Sequence, residues 1–185
     1  MSNIYSLKTL VKAILFLSII GIAACKSEIG DKKQPVLDAD LTNNSLAHLN
    51  DKNGNYFTLE DLIAQHKGRV VYVDIWASWC TPCKQMMPAS AALKKYFKGK
   101  NVAFLYVSID DNSAAWNAAA ATFKLENEES FLASNYPKAS FFQNNNVSNI
   151  PRYFLYDKFG QIIDDNAMRP IEQDLINTID ALLAL

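Results

Sequence analysis

Val70-Val71-Tyr72-Val73-Asp74-Ile75-Trp76-Ala77-Ser78-Trp79-Cys80-Thr81-Pro82-Cys83-Lys84 governs how the rest of this chain is interpreted. The first seven residues are a nearly continuous apolar run, the pattern of a strand covered on both faces of its sheet. The last residues open a helix, so two thiols three positions apart stand where strand gives way to helix. The first amides of a helix have no intrahelical acceptor, and the macrodipole adds partial positive charge, so a thiolate formed there is stabilised. Such a site lowers a cysteine pKa from roughly 8.5 to about 7 or below, and in a C-x-x-C pair both sulfurs can close one small ring. The chemistry indicated is dithiol-disulfide exchange.

The helix that carries Cys83 is expected from Thr81 to Phe97, kinked at Pro88 and ended by Gly99. Val102 to Ile109 reads as a second buried strand, which makes strand, helix and strand a right-handed crossover with a parallel pair. Upstream, Asp51-Lys52-Asn53-Gly54-Asn55 is a turn signature between extended pieces at Leu46 to Leu49 and Tyr56 to Thr58, hence a hairpin. Leu59 to Ile63 fits one helical turn, closed by Lys67-Gly68. Downstream, Asp111-Asn112-Ser113 can cap a helix from Ala114 to about Lys124. The stretch from there to Asn135 has no clear pattern, Tyr136 to Phe142 suits a short helix or turn, and Gln143 to Asn146 is polar enough for an exposed loop. Arg152 to Tyr156 and Gln161 to Asp164 form an antiparallel hairpin about Asp157-Lys158-Phe159-Gly160, and Ile171 to Leu185 is an amphipathic helix. The class is α/β.

At 185 residues and 50% hydrophobic composition the chain is sized for one domain with appendages. Lys8 and Lys12 precede an apolar run from Ala13 to Ile22, then Ala23-Ala24-Cys25. This reads as an export signal, being short of the about 20 apolar residues of a comfortable span. Ile22-Ala23-Ala24-Cys25 resembles the lipobox of bacterial lipoproteins, which implies cleavage before Cys25 and its lipidation; an ordinary signal or an anchor with unmodified Cys25 is the alternative. The expected division is a signal peptide at 1–24, a lipidated tether at 25–40 and a domain at 41–185. Loss of Lys8 and Lys12 shifts the formal charge from −1 to −3, and no patterned Lys/Arg stripe supplies the footprint of nucleic-acid binding.

Asp74 to Cys83, Pro88, Ile150-Pro151 and the turn Asp157 to Ile162, in this order, resemble the TlpA/ResA-like branch of thioredoxin-fold proteins, thiol-disulfide oxidoreductases tethered in the bacterial envelope. Met168-Arg169-Pro170 resembles the ending of such lipoproteins from Bacteroidetes-type bacteria. The resemblance covers about Leu41 to Leu185. It implies a central mixed β-sheet flanked by helices, an N-terminal β-hairpin extension, and an insert before a cis-proline loop. It makes Cys80 the exposed nucleophile and Cys83 the buried resolving thiol, and it puts a buried carboxylate, Asp74, beneath the pair. A solvated strand-end Asp is the plainer reading of Asp74. Many relatives carry a neutral amide at that place and a Glu at the position of Met86, so this chain departs at both. Ile150-Pro151 resembles the cis-proline loop that faces the cysteines and receives an extended partner segment. Trp79, Thr81 and Pro82 complete the expected contact surface, whereas Trp76 suits the core. Arg152 reads equally as a guide for acidic partners and as a plain exposed charge.

The partners implied are disulfides of exported proteins and a membrane thiol-electron donor of the DsbD/CcdA type, because an oxidising periplasm cannot recharge a reductant from a soluble pool. The expected place is the cell envelope, lipid-anchored, with the domain facing the periplasm. No cofactor is expected. A closed zinc site wants four ligands, and beyond the C-x-x-C pair only His48 and His66 remain, both read as surface residues beside polar turns. A peroxidase, P-x-x-x-T-x-x-C, is disfavoured because Cys80 is preceded by Ala77 and Val73 at the Thr and Pro positions, and Cys83 by Cys80 and Trp76. The remaining alternative is a binding module that keeps the fold without redox turnover.

Overall fold

The computed structural model describes residues 41–185, so the expected signal peptide, Cys25 and tether lie outside the described residues. One seven-stranded mixed sheet runs through the domain. In chain order its strands are β1 (His48–Asn50), β2 (Tyr56–Thr58), β3 (Val70–Trp76), β4 (Val102–Ser108), β5 (Glu129–Ala133), β6 (Arg152–Tyr156) and β7 (Ile162–Asp164). Their spatial order is β2-β1-β5-β4-β3-β6-β7. β3 pairs in parallel with β4 and antiparallel with β6, and every residue of β3 and β4 is buried, as their unbroken apolar runs require. The helices are α1 (Leu59–Gln65), α2 (Thr81–Tyr96), α3 (Ser113–Thr122), α4 (Ser140–Asn144) and α5 (Gln173–Ala184).

Local chemistry explains most of the boundaries. Thr58 and Asp61 form a capping box at the start of α1. The Asn112 side chain accepts from the amides of Ala114 and Ala115 and so starts α3. In the β1–β2 turn the Asp51 carboxylate accepts from the amides of Asn53 and Asn55, and Gly54 takes the positive φ of 79° that the turn needs.

Three expectations change. Glu129–Ala133, which has no clear pattern as a sequence, is a strand parallel to β4, and it is the member to which the N-terminal hairpin attaches through β1. Gln143 and Asn144, expected in an exposed loop, belong to α4, seated by the buried Phe142. His48 and His66 are buried, not superficial. β1 lies inside the sheet between β2 and β5, where His48 Nε2 is 2.9 Å from the Asn43 carbonyl oxygen and its ring meets Tyr56 edge-on. His66 follows α1 and sits 3.0 Å from the Glu129 carboxylate at the start of β5. Both histidines are thus engaged within the fold, and no group of metal-ligating side chains is formed among the described residues.

Candidate active site

β3 ends at Trp76, and a four-residue loop leads into α2. Two features hold that loop. The Ile109 amide donates to the Trp76 carbonyl oxygen at 2.9 Å, continuing the sheet past its regular end. Asp110, buried just beyond β4, accepts from the Ser78 amide at 2.9 Å, the Ser78 hydroxyl at 2.6 Å and the Ser108 hydroxyl at 2.7 Å. A buried carboxylate with these donors is satisfied, and it fixes the backbone two residues before Cys80. Asp110 escaped the sequence reading. Its signal was a Ser inside the cysteine motif matched by an acid directly after the neighbouring parallel strand.

Cys80 is the N-cap of α2, and its sulfur accepts from the Cys83 amide at 3.2 Å, so one of the unsatisfied donors of the helix start points at the leading sulfur. Pro82 stands in the first turn, where its missing N–H removes no helical bond. The two cysteines are joined as a disulfide with their Cα atoms 5.3 Å apart. Cys80 is 4% exposed and Cys83 1%, so the expected order of accessibility holds, but Cys80 in this disulfide form is a buried sulfur and not an exposed one. Around it the surface is open, with Trp79 62% exposed and Thr81 and Pro82 exposed, while Trp76 is buried and packs edge-on against Phe123.

The Ile150–Pro151 peptide bond is cis, and the pair precedes β6, the neighbour of β3. A second cis bond, Tyr136–Pro137, lies at the end of β5 and has no counterpart in the sequence reading. Arg152 is not a free surface charge. Its Nε donates to the Asp165 carbonyl oxygen at 2.7 Å and Nη2 to that of Asn145 at 3.2 Å, which ties the β6–β7 hairpin to the segment after α4.

Asp74 is buried in the middle of β3, which excludes the solvated alternative. Removal from water pushes its carboxyl up to about 7, and a bond donated by the Ser90 hydroxyl at 3.2 Å partly opposes the rise. Ser90 belongs to the buried face of α2, which also carries Cys83 and Met87. Seven positions, about two helical turns, separate Ser90 from Cys83 on that face. A cleft of about 610 Å³ rimmed by Lys95, Lys98 and Lys124 opens instead beside Arg69 and Val102, at the starts of β3 and β4 and so at the far end from the cysteines.

A protein-family model described as Redoxin matches residues 32–183. A thiol-disulfide oxidoreductase ResA of Bacillus cereus is 23% identical over 145 residues, 78% of this chain and 78% of that one. ResA of Bacillus subtilis is 36% identical over 67 residues, 36% of this chain; that match spans only 35% of the relative's own length. A crystal structure from Bacteroides vulgatus, described as that of a thiol-disulfide oxidoreductase, has a TM-score of 0.63 at 32% identity and covers 73% of this chain and 90% of that one. The chain belongs to the Redoxin family and is a redox enzyme with the TlpA/ResA-like thioredoxin fold.

Proposed function

We propose that the chain is a thiol-disulfide oxidoreductase that reduces or exchanges disulfides of exported proteins through Cys80 and Cys83. The observation that carries this reading is the disulfide closed across the first turn of α2, with a helix amide directed at the Cys80 sulfur and an exposed collar of Trp79, Thr81 and Pro82 beside it. In the dithiol state the Cys80 thiolate attacks one sulfur of a partner disulfide, forming a mixed disulfide and releasing the other sulfur as a thiolate. Cys83 then gives its proton to the Asp74 carboxylate and attacks the Cys80 sulfur. The bond to the partner breaks, the partner leaves with two electrons gained, and the enzyme is left with the Cys80–Cys83 bond. A carboxyl poised near neutrality suits that proton transfer. Trp79, Thr81 and Pro82, with the Ile150 backbone before Pro151, receive the partner as an extended segment.

The working place in this reading is the bacterial envelope, with Cys25 lipidated, the domain toward the periplasm, and a membrane dithiol donor of the DsbD/CcdA type reopening the disulfide. No helix among the described residues is long and apolar enough to cross a membrane. Trapping tests the proposal. Cys83→Ser should accumulate mixed disulfides with envelope proteins and Cys80→Ser should not. If neither variant traps a partner and the wild type fails to reduce insulin disulfides, the chain is a binding module.

A further inference from the structure

Asp74 has two cross-strand neighbours on its own face of the sheet. In the parallel pair it faces Tyr106 of β4, and in the antiparallel pair it faces Tyr153 of β6. Directly opposed residues share a face, with Cβ atoms roughly 4.5–5.5 Å apart in an antiparallel pair. Tyr72, two residues before Asp74 and on the same face, stacks on Tyr153 with ring centroids 5.3 Å apart. Three phenols therefore surround one buried carboxyl.

Their hydroxyls are not equivalent. Tyr72 donates to the Met168 carbonyl oxygen at 2.7 Å. Tyr106 shares the Ser90 hydroxyl with Asp74. The Tyr153 hydroxyl is buried and has no hydrogen-bond partner among the described residues, and the same is true of Asp74 Oδ1. Two unmatched polar atoms on opposed residues are costly separately and complementary together, one a donor and the other an acceptor. They also supply the two polar partners that an internal water requires.

We propose that Tyr153 donates to the Asp74 carboxylate through one buried water and is a positioning residue of the redox site, setting the pH range in which Asp74 can take the proton of Cys83. Burial holds the Tyr153 phenol well above its ordinary range, so it stays a fixed donor and never serves as a base. A fixed donor favours the ionised carboxyl and opposes the desolvation that raises it. The groups facing Asp74 are Ser90 from α2, Tyr106 from β4, Tyr153 from β6 and Tyr72 from its own strand. Arg169 acts on Tyr153 and Glu172 on Tyr72 from the segment before α5. None of the side chains facing Asp74 is a cation, which leaves Tyr153 as the second neutral donor beside Ser90.

The proposal rests on Asp74 serving Cys83, but its test does not. The Asp74 carboxyl is titrated by carbon NMR in the full-length enzyme, wild type and Tyr153→Phe, with Tyr72→Phe as the control for disturbing the aromatic layer. The expected result is a midpoint raised by about one pH unit, a tenfold change in proton affinity, in Tyr153→Phe alone. The acid limb, below which Asp74 is already protonated and cannot take the proton of Cys83, should move to higher pH with it. Should Tyr153→Phe fail to fold, 3-fluorotyrosine placed at 153, a stronger donor of the same shape, should lower the midpoint. An unmoved midpoint together with a raised Tm would overturn the proposal, because removing a truly orphaned hydroxyl relieves a cost. If the midpoint moves but Asp74→Asn resolves mixed disulfides at the wild-type rate, the link to Tyr153 stands and the catalytic role of Asp74 falls.

Discussion

Asp74 and Asp110 are both buried acids near the cysteine motif, yet their surroundings give them opposite tasks. Asp110 is surrounded by donors and braces the loop before Cys80. Its replacement by Ala leaves the Ser78 amide and two hydroxyls unmatched, at about 2–4 kcal/mol. The loosened loop should also slow the attack by Cys80 roughly tenfold, read from insulin-reduction rates beside denaturant unfolding. Asp74 has one donor at 3.2 Å and a carboxyl held near neutrality. Because its folded value lies above the ordinary 3.8, its contribution to stability is fully present below about pH 4 and is lost as pH rises through about 7. Asp74→Asn should therefore gain stability relative to wild type on moving from pH 4 to pH 8, on the order of 3 kcal/mol in urea denaturation. An equal difference at the two pH values would show that the Asp74 carboxyl is not raised.

Among the elements, β5 has the largest consequence for its length. Five residues join the N-terminal hairpin to the parallel core, through Leu49 opposite Ala133 on one side and Val107 opposite Phe131 on the other. Phe131 is buried and meets Phe57 of β2 edge-on at 5.5 Å. Phe131→Ala should cost about 3–5 kcal/mol. The loss should be uneven, with amide-exchange protection falling in β1 and β2 before it falls in β3 and β4. Equal loss in all four strands would mean that the hairpin and the core are one cooperative unit. On the other side of the sheet, Arg152 clamps β6 to the segment after α4, which keeps the backbone behind Pro151 in register with β3.

Across the domain, the cysteine pair occupies the C-terminal end of the parallel strands, and the Lys95, Lys98 and Lys124 cleft occupies the other. Residues 41–185 carry the whole seven-stranded sheet and its helices. A chain beginning at Lys33 should keep the wild-type Tm and its insulin-reductase rate in solution, and lose only the membrane attachment that the proposed lipidation of Cys25 would give it, read by calorimetry, assay and cell fractionation. A lowered Tm would place part of the fold's support before Lys33. Residue order alone was enough to specify the parallel pair β3 and β4, the helix between them, both terminal hairpins and the cysteine site. Long unbroken apolar runs, turn residues and a C-x-x-C at a strand-to-helix junction are local signals. The apolar run also indicated a buried Asp74, since a carboxyl inside it has little access to water. The strand Glu129–Ala133, the burial of His48 and His66, the Asp110 brace and the tyrosines around Asp74 emerged only once the chain was folded. Each depends on pairing between residues distant in the chain, and a short half-polar segment becomes a strand only when neighbours on both sides supply its hydrogen bonds.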